Sequence, residues 1–263
     1  MRVSFGQVIV GLAGVIGLLF LLLPVAVLAI EGVRAQGWLN APASGVPQAI
    51  TLSVATTFVT SALTILFGTP LAYLLARWRF PFKRLINLLI ELPIVLPPAV
   101  AGLALLETFG RRGAFGPALE TVGVNLPFTT AAVVLAQTFV SAPFFIRSAQ
   151  VGFQNVARHI EDAARVDGAA GWVLFRHITL PLASRALVAG LVLSWARALG
   201  EFGATILFAG SLQGRTQTMP LLIYNVLERD LDAAIWTGLL LIIMAVIALA
   251  VASWLRQTDE PAE

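Results

Sequence analysis

The sequence predicts an all-α membrane protein with six transmembrane helices and both termini in the cytoplasm. Three observations carry this expectation: a composition too apolar for a water-facing surface, six apolar stretches long enough to cross a bilayer, and an uneven spread of Lys and Arg between alternate connections. Of 263 residues, 58% are hydrophobic and 12% charged, and the mean hydropathy is +0.88. A water-soluble domain carries about 25% charged residues, so lipid must be the solvent for much of this chain. There is no cysteine, which excludes a disulfide scaffold and Cys-based zinc sites.

Residues 3–30 carry no charge and predict a first span over about 7–30. This run is longer than the roughly 7–15 residues of a signal-peptide core, so it reads as a retained helix. Residues 35–76 are also uncharged, with the apolar part at about 49–76. Residues 85–106 contain only Glu91 and predict a third span over 86–108. Pro93, Pro97 and Pro98 remove backbone donors there and should kink or break that helix. Bent helices in membranes often line cavities, and a simple packing kink is an equal reading. Residues 121–146 lack charge and predict a fourth span over 127–150. The fifth, 181–209, is apolar except for Arg185, Arg197 and Glu201, and the sixth, 233–255, is uncharged. Each meets the ~20 residues needed to cross ~30 Å of hydrocarbon, and backbone pairing in lipid makes each a helix. Residues 1–263 are expected to form one transmembrane domain without a hidden soluble domain, and the tail Thr258–Glu263 to be disordered.

Lys and Arg set the orientation. With the N-terminus inside, 11 basic residues fall on the inner side and 5 on the outer, with Arg197 inside a helix. The polar insert at 151–180 then faces the cytoplasm.

The chain lacks the residues of several chemistries. Lys83, within Arg79-Phe80-Pro81-Phe82-Lys83-Arg84, is the only lysine, and no G-x-x-x-x-G-K-[ST] phosphate loop can be built around it. Any ATP must bind another subunit. His159 and His177 both lie in the polar insert, outside the spans, and no H-E-x-x-H or G-x-S-x-G occurs. An intramembrane hydrolase has no visible nucleophile and base. Acids within spans are limited to Glu91 and Glu201, few for a proton-coupled transporter or metal pump.

In the insert, Asn155 is a suitable N-cap for a helix from Val156. Val156, Ile160, Ala163 and Ala164 share one helical face, with Arg158, Glu161, Asp162 and Arg165 largely away from it. Gly168 fits the left-handed position that ends a helix, a short helix over Trp172–His177 follows, and Pro181 suits the first turn of the next span. Small residues at 163, 164 and 168 would let another protein approach the backbone closely. Periodicity alone fits an ordinary amphipathic connector equally well.

The spacing Asp162-Ala163-Ala164-x3-Gly168-x9-Ile178-x-Leu180-Pro181 resembles the EAA loop of binding-protein-dependent ABC importer permeases, with Asp162 where that family usually has Glu. The resemblance implies a type I ABC importer permease fold. It makes residues 155–180 a coupling loop, of which 160–178 would dock on the ATPase subunit.

In the fifth span, Ala186, Gly190, Ser194 and Ala198 recur every four residues, a small-residue stripe that permits close helix contact. Arg197 and Glu201 stand four apart beside it. They fit an internal ion pair and a polar element of a pathway or gate equally well. Leu199-Gly200-Glu201-Phe202-Gly203-Ala204-Thr205, followed by Gly214-Arg215-Thr216-Gln217-Thr218-Met219-Pro220-Leu221, is similar to the molybdate and sulfate permease group. The Gly-Arg-Thr-Gln-Thr-Met-Pro portion is closer to molybdate permeases, and Leu92-Pro93-Ile94-Val95-Leu96-Pro97-Pro98 resembles their third span.

What the resemblance implies is a molybdate importer permease, with tungstate or sulfate/thiosulfate as alternative cargo. A stand-alone secondary transporter or channel is the reading of another class. The implied pathway or gate residues are Pro97, Pro98, Ser194, Arg197, Gly200, Glu201 and Gly203. The chain itself would carry no catalytic residue, metal or cofactor. The implied partners are a second copy of this chain, two ABC ATPase subunits holding ATP and Mg, an extracytoplasmic oxyanion-binding protein, and the lipid of a bacterial or archaeal plasma (inner) membrane. No nucleic-acid partner is expected.

Overall fold

Every regular element among the described residues is helical, as internal backbone pairing in lipid requires. The computed structural model describes residues 5–41 and 45–257. In chain order the elements are α1 (Phe5–Arg34), a 3-10 turn (Gly37–Leu39), α2 (Gly45–Arg77), α3 (Lys83–Val95), α4 (Pro98–Phe109), α5 (Gly116–Thr121), α6 (Thr130–Asn155), α7 (Arg158–Val166), α8 (Gly171–Leu174), a π turn (Phe175–Thr179), α9 (Leu180–Leu199), α10 (Gly203–Phe208), α11 (Met219–Leu227) and α12 (Leu231–Gln257). The expected tail at 258–263 lies outside the described residues.

Five stretches are long and apolar enough to cross a membrane: Ile9–Arg34, Gly45–Arg77, Thr130–Asn155, Gly171–Leu199 and Leu231–Ala250. The third predicted span is a pair instead, α3 and α4 bent by 115°. Two consecutive prolines explain the break: Pro97 and Pro98 supply no N–H, and Leu96 is held extended at φ −64, ψ 134. The fifth predicted span also differs from the expected 181–209. Its helix ends at Leu199, Gly200–Phe202 interrupt it, and α10 resumes at Gly203.

The insert begins differently too. Asn155 is the last residue of α6 and not an N-cap; Val156 is extended, and α7 starts at Arg158 with Ala157 before it. Val156 is buried against α2 and α6, so it serves the core and not a face of α7. The helix expected at Trp172–His177 runs instead from Gly171 through the π turn directly into α9. The wider turn accommodates Pro181, which has no N–H to donate back.

α6 is the centre of the molecule. Its Ala132, Val133, Ala136 and Val140 pack with Ala101 and Leu105 of α4 and Ala204 and Phe208 of α10. One half-length further on, Phe145, Ile146, Ala149 and Phe153 pack with Ala72 and Leu75 of α2 and Ala183 of α9. A third cluster joins Ala49 of α2 to Met219, Leu222 and Val226 of α11 and Ala233 and Ala234 of α12. Three of the buried hydroxyls of α2 are satisfied inside the bundle, whereas Thr64 Oγ1 and Thr69 Oγ1 are buried without a hydrogen-bond partner among the described residues. Thr56 and Thr57 donate back to the carbonyls of Leu52 and Ser53, and Thr60 donates to Oε1 of Gln137 on α6 at 3.1 Å.

α1 stands apart. Its most apolar window is unburied within the chain, and Gly32 meets Leu239 of α12. At the start of α12, Asp230 accepts from the Ala233 N–H at 2.9 Å and the Asn40 side chain at 2.8 Å. The Ala233 bond first, then the Asn40 amide, holds the Asp230 carboxyl below its ordinary value. The stability it adds is present at neutral pH and is lost as pH falls through that lowered pKa.

The small-residue stripe on α9 is the seam with α6. A methyl group at Gly190 would come within 2.5 Å of Ser148 Cβ, whereas Gly14 on α1 has nothing within 4 Å. Gly190→Val is therefore expected to destabilise the protein by about 1–3 kcal/mol. A lowered melting temperature in detergent, with Gly14→Val unchanged, is the check.

Candidate functional site

The predicted coupling residues on α7 lie on its exposed side. On α7, Asp162 and Ala163 are exposed, Ala164 is half-buried and Val166 is 88% exposed. Asp162 forms an ion pair with Arg165 on the same surface. Gly168 has φ +90 and open space where a side chain would stand, so the chain turns sharply there with its backbone uncovered. The motif's remaining residues continue onto the next helix: Ile178 and Leu180 are half-buried at the π turn and Pro181 is exposed.

The inward face of α7 is not the predicted one. Ile160 and Ala163 point outward, and the residue facing in is Glu161, 4% exposed. Its Oε1 accepts from Arg77 Nη2 at 2.9 Å and from Thr179 Oγ1 at 2.7 Å. The same Arg77 nitrogen donates to the Val156 carbonyl at 3.0 Å. One buried carboxylate thus ties α7 to the end of α2 and to the π turn. Aromatic rings reinforce the joint: Tyr73 of α2 meets Phe153 of α6 and Phe175 of the π turn edge-on, with centroids 5.4 and 5.1 Å apart. Sequence reasoning missed this joint. Periodicity put Glu161 on a polar outer face, and Arg77, 84 residues upstream, carries no local sign of its partner.

The predicted pathway residues gather where two helices are interrupted. A methyl at Gly203 would sit 2.5 Å from Pro98 Cβ, so the start of α10 lies directly on the start of α4. Pro97, Pro98 and Gly200 are exposed beside this contact. Glu201 is 1% exposed and serves both sides of the break. Its Oε2 lies 2.7 Å from Arg197 Nη2, and its Oε1 accepts the Ala204 N–H at 2.7 Å, capping α10. The Arg197 side chain keeps 30% of its surface exposed, so a cation borders the break. Ser194 is separate from this group, buried among the small residues of the stripe.

The second part of the cargo-like sequence forms a packed turn. Thr216 Oγ1 accepts the Leu212 N–H at 2.9 Å and donates to the Gly210 carbonyl. The Met219 N–H donates to Ser53 Oγ of α2 at 2.8 Å, and Thr130 of α6 donates to the Arg215 carbonyl at 2.8 Å. Thr216, Gln217, Thr218 and Met219 are all buried. Their role in this structure is to hold α11 against α2 and α6.

A family model described as "Binding-protein-dependent transport system inner membrane component" matches residues 68–261. The chain belongs to this family. Among similar proteins of the family's kind, the molybdenum transport system permease protein ModB of Mycobacterium tuberculosis is 42% identical over 234 residues, 89% of each chain. That of Escherichia coli K12 is 37% identical over 213 residues, 80% of this chain and 93% of the other. The sulfate transport system permease protein CysT of Escherichia coli K12 is 36% identical over 220 residues, 82% and 79% of the two chains. Among solved structures, a bacterial ABC transporter for import of the acidic polysaccharide alginate superposes with TM-score 0.71 at 18% identity, covering 95% of this chain and 94% of the other. The inward-facing MetNI methionine ABC transporter gives TM-score 0.67 at 15% identity, covering 82% and 97%. This family member therefore has the fold of importer permeases, a multi-pass bundle of apolar helices.

The two buried carboxylates are open to separate tests. Glu161→Ala leaves the Arg77 guanidinium buried without its partner and should cost about 3–5 kcal/mol; Glu161→Gln, which can still accept from Arg77 and Thr179, should cost less. Chemical denaturation and protease cleavage within 158–171 report both. A reciprocal exchange of Arg197 and Glu201 would not isolate their pairing, because arginine at 201 cannot cap α10. Arg197→Met, Glu201→Gln and the double variant form the cleaner cycle. Arg197→Met alone should lie toward the lower end of about 3–5 kcal/mol, and the double variant should recover part of that loss in melting temperature.

Proposed function

We propose that this chain is the permease subunit of a binding-protein-dependent ABC importer for molybdate. The observation that carries the cargo is the 42% identity, over 89% of the chain, to molybdenum permeases. The similarity to sulfate permeases supports sulfate as the competing reading, and tungstate, an oxyanion of the same charge and shape, is the other. The chain forms one permease domain of six spans, α3 and α4 together making the third. Both ends and α7 face the cytoplasm, where the basic residues concentrate. Two copies form the pathway between them, with two ATPase subunits inside and an oxyanion-binding protein outside.

In this reading the ATPases bind ATP and Mg, and this chain contributes no catalytic group. The surface of Asp162, Ala163, Ala164 and Gly168 docks in a groove of each ATPase, and Ile178, Leu180 and Pro181 carry the movement into α9. The Arg77–Glu161–Thr179 joint supports this transfer, because a docked α7 cannot move without α2 and the π turn. ATP binding draws the two docked surfaces together and opens the pathway outward, and hydrolysis resets it. Pro97, Pro98, Gly200, Glu201 and Gly203 form the pliable part of the pathway, Arg197 borders it as the cation, and Ser194 lies on the helix that moves. Because Arg197 is paired with Glu201, what it offers a dianion is the exposed remainder of its guanidinium N–H groups and not an unneutralised charge.

The test is ATP-driven uptake of labelled molybdate by the complex with its ATPase and binding protein in vesicles, with tungstate and sulfate as competitors. Stronger competition by sulfate than by unlabelled molybdate would reassign the cargo. Gly168→Trp places an L-residue at φ +90, a strain of about 1–2 kcal/mol at the docking turn. Uptake per ATP hydrolysed is expected to fall on the order of tenfold with membrane insertion intact. Normal coupling in that variant would remove the docking role.

A further inference from the structure

An apolar groove of about 860 Å³ runs along the outside of the bundle between α2 and α9, lined by Ile65, Tyr73 and Trp78 on one side and Trp172, Phe175 and Leu191 on the other. Next along the chain is a hollow of about 530 Å³ lined by Arg79, Lys83 and Arg84 with Phe80, Phe82 and Asn87. Trp78 of the groove directly precedes Arg79 of the hollow, and its carbonyl accepts from Lys83 Nζ at 3.0 Å. No ion pair to Arg79, Lys83 or Arg84 forms among the described residues; Glu91, the acid on α3, pairs with Arg147 instead. We infer that this composite site holds one anionic phospholipid, its headgroup on Arg79, Lys83 and Arg84 and an acyl chain in the groove.

Dimensions favour that occupant. From Ile65 to Trp78 the groove follows 13 residues of α2, about 20 Å of helix at ~1.5 Å per residue. One leaflet of hydrocarbon is about half of ~30 Å, so the groove is one acyl chain long. Its basic end is also its aromatic end: Trp78 is 60% and Trp172 67% exposed, as for tryptophans at a membrane–water interface. Phe82, 76% exposed, stands at φ +64, a conformation that costs a non-glycine residue about 1–2 kcal/mol. The turn between α2 and α3 thus presents an aromatic ring beside three cations. Basic residues at the end of a transmembrane helix attract anionic lipid. The oxyanion cargo does not suit the groove, whose walls are aliphatic and aromatic apart from Thr69 and Ser184. The proposed orientation enters only in placing the lipid in the cytoplasmic leaflet.

The test uses the purified permease–ATPase complex in nanodiscs of phosphatidylcholine with or without phosphatidylglycerol, followed by native mass spectrometry of retained lipid. The chain should retain phosphatidylglycerol over phosphatidylcholine. Arg79→Gln, Lys83→Gln and Arg84→Gln together should reduce that retention on the order of a hundredfold, from about fivefold per basic residue. The charge-preserving set Arg79→Lys, Lys83→Arg and Arg84→Lys should keep it, as should Arg112→Gln in the turn after α4. Val188→Trp, which fills the groove, should also displace the lipid. Equal retention of both lipids, or unchanged retention in the glutamine variant, overturns the site. So does a cross-link from Val188→Cys to the helix of another copy, readable because the chain has no other cysteine. Lipid retention is measured without cargo, so failed molybdate uptake leaves this result standing.

Discussion

The close approach of α6 to α9 is the constraint on which the rest of the architecture depends. In lipid there is little hydrophobic drive to bring two apolar helices together, so contact area and backbone proximity have to do it. Glycines and small side chains allow that proximity: Gly190 lies against Ser148, and Gly152 against Ala186. Ser148 also donates to the Ala186 carbonyl at 2.7 Å, a hydrogen bond available only at this separation. With α9 held there, α6 is left free on its other sides to receive α2, α4 and α10.

Both buried carboxylates stand where regular backbone stops. Glu161 sits in the short helix that follows the end of α6, and Glu201 sits in the break between α9 and α10. Each has an arginine partner and one further donor, Thr179 in the first case and the Ala204 N–H in the second. A helix end in an apolar setting leaves unpaired backbone groups: Glu201 accepts the Ala204 N–H at the start of α10, and after α6 it is Arg77, held by Glu161, that donates to the Val156 carbonyl. The same arrangement joins segments that are separate in sequence, so a rigid connection and a discontinuity occur together. Such points are suited to rigid-body motion, because packed helices on each side move as units.

The segment most indicative of cargo in sequence is mostly scaffold in space. Thr216 and its neighbours close a turn against α2 and α6, while Arg197 and the exposed glycine and prolines border the interruption in the bundle. A cargo-like sequence signature therefore need not be a set of cargo contacts. It can instead mark the frame that spaces two interrupted helices correctly.

Composition, charge distribution and the fixed spacing from Asp162 to Pro181 by themselves determined that this is a helical membrane protein carrying an exposed surface loop of the importer type. These features are local or additive: an apolar run reads the same wherever its helix lies. The Pro97-Pro98 pair foretold an interruption near residue 97, since a missing N–H is a property of the residue. The 115° bend and its contact with Gly203 were decided by tertiary packing. So were the inward turn of Glu161 and its bond to Arg77, because periodicity assigns a charge to the outer face unless a partner elsewhere can neutralise it. The Arg197–Glu201 pairing was allowed by spacing and realised only because the break places the carboxylate between a guanidinium and the start of α10. What the sequence could not contain is the relation between distant helices, and in this fold those relations set where the buried charges go.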